Sequence, residues 1–239
     1  MEKLKLYLCE ALGLGVFMFS AGFFCILIDH PDFYIREMIS SDSIRRFFIG
    51  LTMGLTALFI IHSSFGKKSG AHINPAVTLT FLRLKRISVN DAFFYIIFQF
   101  LGGALGLYLI SLLMPESIKH PVINYIVTVP GKAGVSITFL LEFLISFFLI
   151  LTVLVTSDSP SLSNYTSYFV ATLITLYITF EAPFSGMSMN PARTFSSAIV
   201  ANVWTDFWLY CIAPVLAMLI AAEIWIRFIK RKKIDNNLG

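Results

Sequence analysis

The sequence predicts an all-α membrane protein of six tilted transmembrane helices plus two re-entrant half-helices, arranged as two inverted repeats. Three observations carry that prediction. Apolar residues make up 57% of the 239 residues and charged residues 13%, with mean hydropathy +0.79, a balance no soluble domain of this size needs. Six apolar stretches approach the roughly 20 residues that a helix needs to cross the hydrocarbon. The triplet Asn-Pro-Ala occurs twice, at Asn74, Pro75, Ala76 and at Asn190, Pro191, Ala192, each time opening an apolar piece too short to cross.

The first span covers about residues 5 to 28. It is long, contains Glu10 and lacks a small-residue cleavage site before Asp29, so it stays as the first helix and is not a cleaved signal peptide. The second span, about 46 to 64, leads into an irregular segment ending at Asn74. Proline fits the first turn of a helix because its missing amide hydrogen would be unpaired there, so Pro75 starts a short helix over about 75 to 83 with Asn74 as N-cap. The third span covers about 91 to 113, and the join at 114 to 134 carries Pro115, Pro121, Pro130 and Gly131, which suit an irregular loop.

The second half repeats this order. Its spans cover about 135 to 157, 166 to 182 and 206 to 229, its short helix about 191 to 201, and Glu142 stands early in its first span as Glu10 does in the other half. An odd number of spans per half inverts the second copy, which brings the two short helices in from opposite faces with their N-termini meeting near the midplane. The chain therefore reads as a single domain over 1 to 239: repeat one about 1 to 113, repeat two about 135 to 229, and a basic tail at 230 to 239.

Topology follows the Lys and Arg content of short loops. Of the 18 such residues, twelve (Lys3, Lys5, Lys67, Lys68, Arg83, Lys85, Arg86, Arg227, Lys230, Arg231, Lys232, Lys233) fall on one side and Arg36, Arg45, Arg46, Lys119, Lys132 and Arg193 on the other. That excess puts both termini in the cytoplasm of a multi-pass protein of the cell (plasma or inner) membrane. The basic tail reads as an orientation signal beside anionic lipid, with no nucleic-acid partner. Cys9, Cys25 and Cys211 lie within apolar spans and read as small core residues. Glu181 and Glu223, near span ends, read as snorkelling or vestibule residues, and Asn164, Tyr165, Thr166 as a chance sequon in a cytoplasmic loop. Gly102 and Gly106, and Ala213, Ala217 and Ala221, are spaced for close helix crossing. No nucleophile with a base, metal-ligand spacing or phosphate-cradling loop is present, so no enzyme activity, cofactor or metal is expected.

The segments Ser69, Gly70, Ala71, His72, Ile73, Asn74, Pro75, Ala76, Val77, Thr78 and Ser185, Gly186, Met187, Ser188, Met189, Asn190, Pro191, Ala192, Arg193 look like the paired signature loops of the aquaporin and glycerol-facilitator family, the major intrinsic proteins. The resemblance covers nearly the whole chain, including span order and the two glutamates. It implies an aquaporin-like fold, a homotetramer in the lipid bilayer with a pore through each subunit, and Arg193 as the constriction arginine. Beside it, the residues supply a mechanism. Two facing helix N-termini make a positive zone, the Asn74 and Asn190 amides can donate to one permeating oxygen, and carbonyls of Gly70, Ala71, His72 and of Gly186, Met187, Ser188 offer a ladder of acceptors. Glu10 and Glu142, costly inside a membrane, are expected to brace the loop of their own half through backbone N–H groups, and His72 to brace its loop.

For the permeant, the resemblance implies a second-span aromatic and a fifth-span histidine in water-favouring members. Gapless counting from Asn190 puts Ile178 at the histidine position and Met187 at the loop position, and the second-span residue is Met53 or Gly54 depending on the length of the loop at Gly66, Lys67, Lys68. Met53, Ile178, Met187 and Arg193 make a ring less polar than a water-selective one. Thr194, Ala198 and Tyr210 follow the water-channel pattern, whereas Cys211 does not. The expected function is a passive water channel that excludes protons and ions, with small neutral solutes such as glycerol as further permeants. The alternatives are a glycerol or small-solute facilitator and, in another class, an ion-coupled secondary transporter.

Overall fold

A computed structural model describes residues 2–230, so Arg231, Lys232 and Lys233 of the expected cytoplasmic tail lie outside the described residues. In chain order the helices are α1 (Glu2–Asp29), α2 (Tyr34–Met38), α3 (Asp42–His62), α4 (Ser64–Ser69), α5 (Pro75–Arg83), α6 (Val89–Leu113), α7 (Pro115–Lys119), α8 (Val135–Ser157), α9 (Thr166–Phe180), α10 (Ala182–Ser185), α11 (Pro191–Ala201) and α12 (Phe207–Ile224), the last continuing as a π-helical turn, Trp225–Lys230. Among the described residues there is no strand.

Helices α1, α3, α6, α8 and α12 are long and apolar enough to cross a membrane. The sixth crossing helix, α9, has 15 residues, about 22 Å at 1.5 Å per residue, and stops short of the expected 166 to 182. Pro183 has no N–H to extend the ladder, and the chain turns through α10 to Gly186, a left-handed residue at φ 83°. The stretch after α3 is also not plain loop: Ser63 caps α4, accepting from Gly66 N–H at 2.9 Å, and Gly70 ends it at φ 88°.

The packing repeats between the halves. Helix α1 lies on α6 as α8 lies on α12, α1 meets α3 as α8 meets α9, and α3 meets α9 across the halves. Each short helix crosses into the other half: α5 packs on α12 and α11 on α6. Small residues permit the close crossings. Gly102 and Gly106 lie against backbone of Ala11 and Gly15, and Ala213, Ala217 and Ala221 are fully buried on α12. The outside carries the large apolar side chains, with Leu12, Leu55, Leu101, Leu105, Leu112 and Phe148 all more than half exposed, as a lipid-facing surface requires.

Charges gather at the two ends. At the end holding the N-terminus of α1, Lys3 pairs with Asp91, Arg86 with Asp158, and Glu223 with both Arg83 and Arg227. At the opposite end Asp29 pairs with Arg45 at 2.6 Å and with Arg36, and Arg45 also pairs with Asp42. Glu223 is thus an ion-pair partner, while Glu181 stands at the C-terminal end of α9 as expected but is buried, which does not fit a side chain that snorkels to the surface.

Candidate functional site

The two short helices start face to face. Asn74 and Asn190 are the N-caps, each followed by proline at the first helical position; Asn74 Oδ1 accepts from Ala76 N–H at 2.8 Å, and Asn190 Oδ1 accepts from Ala192 and Arg193 N–H at 3.0 and 3.3 Å. The amide nitrogens reach across the repeat. Asn74 Nδ2 donates to Met189 O and Asn190 Nδ2 to Ile73 O, both at 2.8 Å. A carboxamide has two N–H groups, so one hydrogen on each side chain is left for another acceptor.

The loops entering the helices are the same backbone device used twice. Gly70, Ala71 and Ile73 have φ of 88°, 49° and 41°, and Gly186, Met187 and Met189 have 83°, 49° and 54°. Left-handed non-glycine residues cost roughly 1–2 kcal/mol each, so something must hold them. Glu10 accepts from His72 N–H at 3.1 Å and Ile73 N–H at 2.6 Å, and Glu142 accepts from Ser188 N–H at 2.7 Å and Met189 N–H at 2.8 Å. Both carboxylates are fully buried. With the amides bound on one side, the neighbouring carbonyls are free to face the other.

A second layer supports this one, and sequence reading missed most of it. Tyr95 donates to Ser69 O at 2.8 Å and Tyr210 to Ser185 O at 2.6 Å, so matching tyrosines hold matching carbonyls. Thr78 meets His72 Nδ1 at 3.2 Å, and Thr194 meets Ser188 at 2.5 Å, again at equivalent places. Gln99 adds a donor to Glu10 at 2.8 Å, where Glu142 instead receives the Ser185 hydroxyl at 2.8 Å. The signal in the sequence is near-equivalent placement: Tyr95 stands 21 residues after Asn74 and Tyr210 stands 20 after Asn190.

Two mainly apolar cavities adjoin at the signature loops, the larger of them lined by both asparagines. One, of about 490 Å³, is lined by Gly70, Ala71, His72, Asn74 and Asn190 together with apolar residues such as Ile150 and Ile174, and reaches Lys67 and Asn164 at the end that holds the start of α1. The other, of about 220 Å³, is lined by Met53, Ile178, Gly186 and Arg193, with Cys25 and Ile126, and reaches Asp29 and Arg46. Phe17 and Met187 line both, so the cavities adjoin there. Of the two second-span candidates, Met53 lines the smaller cavity. Gly54 lies in the contact between α3 and α9, where a Cβ would stand 2.6 Å from Ala171 O. Ser188 is buried and lines neither cavity, its hydroxyl donating to Asn190 O at 3.0 Å.

Arg193 is fixed from the connecting loop. Its Nη1 donates to Ile126 O at 3.0 Å, and Asn124, Tyr125 and Ile126 form a left-handed run at φ 43°, 52° and 51°. The sequence gives this run no role, because of Asn124, Tyr125 and Ile126 only Asn124 favours that backbone.

Comparisons with known proteins agree with this architecture. The family described as Major intrinsic protein matches residues 1–225. Aquaporin-4 of Bos taurus is 32% identical over 179 residues, 74% of this chain and 54% of the relative, and a Probable aquaporin NIP-type of Nicotiana alata is 35% identical over 179 residues, 74% of this chain and 64% of the relative. The matched stretch spans about half the length of the Aquaporin-4 relatives. The X-ray structure of the aquaglyceroporin from Plasmodium falciparum superposes with TM-score 0.80 at 20% identity, covering 95% of this chain and 97% of that one, a likeness of fold.

Proposed function

Because the chain belongs to the major intrinsic protein family, we propose that it is a passive membrane channel for water that excludes protons and ions and also passes small neutral solutes. The observation that carries this reading is the reciprocal pair of asparagine bonds, which holds two helix N-termini and two spare amide hydrogens beside adjoining cavities. A water oxygen that accepts from both amides turns its hydrogens outward in opposite directions, so a proton cannot hop through it along the file. Cations meet the positive ends of α5 and α11 and the Arg193 guanidinium. Apolar walls hold water loosely, which favours fast passage.

Glycerol enters as a co-permeant because Met53, Ile178 and Met187, three of the side chains that line the cavity with Arg193, bring neither a ring nor a donor, and Phe17 adds a further apolar face. A facilitator preferring glycerol is the second reading, favoured by the same apolar lining. An ion-coupled transporter is disfavoured because Glu10 and Glu142 are saturated by loop amides and so unsuited to carrying an ion. We further propose a single channel domain with repeats at about 1 to 113 and 135 to 229, a homotetramer in the cell membrane, and both termini in the cytoplasm, where the excess of Lys and Arg falls. Stopped-flow light scattering on proteoliposomes tests the permeant: water shrinkage well above empty vesicles with slower glycerol re-swelling supports it, and glycerol flux with water flux at the empty-vesicle rate overturns it.

A further inference from the structure

At the end opposite the start of α1, two histidines from separate loops touch. His30 follows α1 and His120 follows α7, with ring centroids 4.6 Å apart and planes at 65°. Each ring accepts at Nδ1 from its own chain two residues on: Asp32 N–H donates to His30 and Val122 N–H to His120, both at 3.2 Å. Nδ1 of each ring is thus placed as an acceptor, a role that only an unprotonated nitrogen fills.

His120 also opens the turn that reaches Arg193. Its carbonyl accepts from Ile123 and Asn124 N–H, both at 2.8 Å; the left-handed run Asn124, Tyr125, Ile126 follows, and Ile126 O holds the guanidinium at 3.0 Å. Val122, Ile123 and Ile126 line the smaller cavity beside Arg193. The histidine contact, the strained turn and the arginine tether therefore form one continuous chain of contacts.

We propose that the His30–His120 pair is a proton-operated clamp on this mouth: a proton taken up by His120, or by both rings, loosens the 120–127 turn, frees Arg193 from Ile126 O, and lowers permeation. This rests on the channel reading above. A protonated Nδ1 donates and can no longer accept from the backbone, so the turn loses the Val122 bond when His120 charges, and two imidazolium rings at this separation repel. Asp32 lies 4.0 Å from His30 Nδ1 and supplies a carboxylate toward which the charged ring swings. Of the other charged groups in these elements, Asp29 pairs with Arg36 and Arg45, Asp42 with Arg45, and Glu116 with Lys119 on α7; α2 adds Glu37, α3 adds Arg46, which donates to Ser43 Oγ and Thr179 O, and α11 adds Arg193 itself. A left-handed run of non-glycine residues persists only while its surroundings hold it, so the bond lost at His120 weakens what holds this one. Released, the guanidinium and the apolar side chains of the turn move into the space they now line.

The test compares wild type with the H30N/H120N double variant, in which the asparagine oxygen replaces Nδ1 as acceptor but does not titrate. Water flux in proteoliposomes is measured from about pH 8 to about pH 5, the range in which imidazole charges. In parallel, amide hydrogen exchange of residues 120–127 is followed in the purified protein, referenced at each pH to unstructured peptide rates. We expect wild-type flux to fall by about threefold or more and exchange in the turn to rise over the same interval, with both flat in the variant. Wild-type exchange that does not change with pH overturns the clamp, as does an identical response in the variant. Exchange that rises while a measurable flux stays constant overturns its control of permeation. Absence of water flux at every pH, with the exchange response intact, defeats the channel reading and with it the control of permeation while leaving the proton-dependent turn.

Discussion

Asn74 and Asn190 are bound into each other's repeat: each donates through Nδ2 to the carbonyl oxygen of the residue before the other, at 2.8 Å in both directions. The same side chains cap their own helices through Oδ1. One residue type therefore does two jobs that need an acceptor and a donor on one short side chain, which a carboxylate or a hydroxyl cannot supply together in this geometry.

Replacing Asn190 by aspartate keeps the cap acceptor and removes the donor, leaving a carboxylate against Ile73 O. Loss of a buried hydrogen bond costs about 1–3 kcal/mol. N190D is expected to unfold at a lower temperature and to lose most water flux, read by thermal unfolding in detergent and by light scattering. Unchanged flux counts against the amide's role.

The paired tyrosines are expected to behave as repeat mates. Y95F and Y210F each remove one hydrogen bond to a signature-loop carbonyl, at about 1 kcal/mol apiece, with little change in volume. Similar drops in melting temperature for the two variants are expected, and a large effect from one alone contradicts the equivalence.

Neighbouring residues on α3 separate packing from permeation. G54A forces a Cβ to 2.6 Å from Ala171 O and is expected to destabilise by about 1–3 kcal/mol. M53A enlarges the smaller cavity and is expected to raise glycerol permeability several-fold relative to water. The opposite pattern in unfolding and solute-swelling assays places Gly54 at the permeant.

Arg193→Val removes both the guanidinium charge and its bond to Ile126 O. Proton leak measured with an entrapped pH dye is expected to rise, together with glycerol flux, because the charge that repels cations is gone. Leak at the wild-type level shows that Arg193 adds nothing to exclusion.

The parts of this architecture that rest on short, local rules were readable in the chain. Proline at N1 located the starts of α5 and α11, and hydropathy located the long spans, to within a few residues at most ends. What stayed hidden depends on tertiary context. The helix α4 is set by the Ser63 cap and Gly70, inside a segment that also reads as loop. The burial of Glu181 follows from the early end of α9 at Phe180, which hydropathy does not register because Ala182 and Phe184 are apolar too. The left-handed turn at Tyr125 and Ile126 runs against the preference of both residues, so no propensity announces it. Tyr95, Gln99 and Thr78 look like ordinary residues of apolar helices until their partners on the loops are known.

The most direct test of two opposed half-helices forming a proton-tight water path measures both fluxes in one vesicle preparation. Purified protein is reconstituted with an entrapped pH dye, and osmotic shrinkage and proton entry are followed together under an imposed pH gradient. The account predicts water flux many times that of empty vesicles with proton entry at the empty-vesicle rate. Water flux at the background rate, or proton entry that rises in step with protein content, contradicts it.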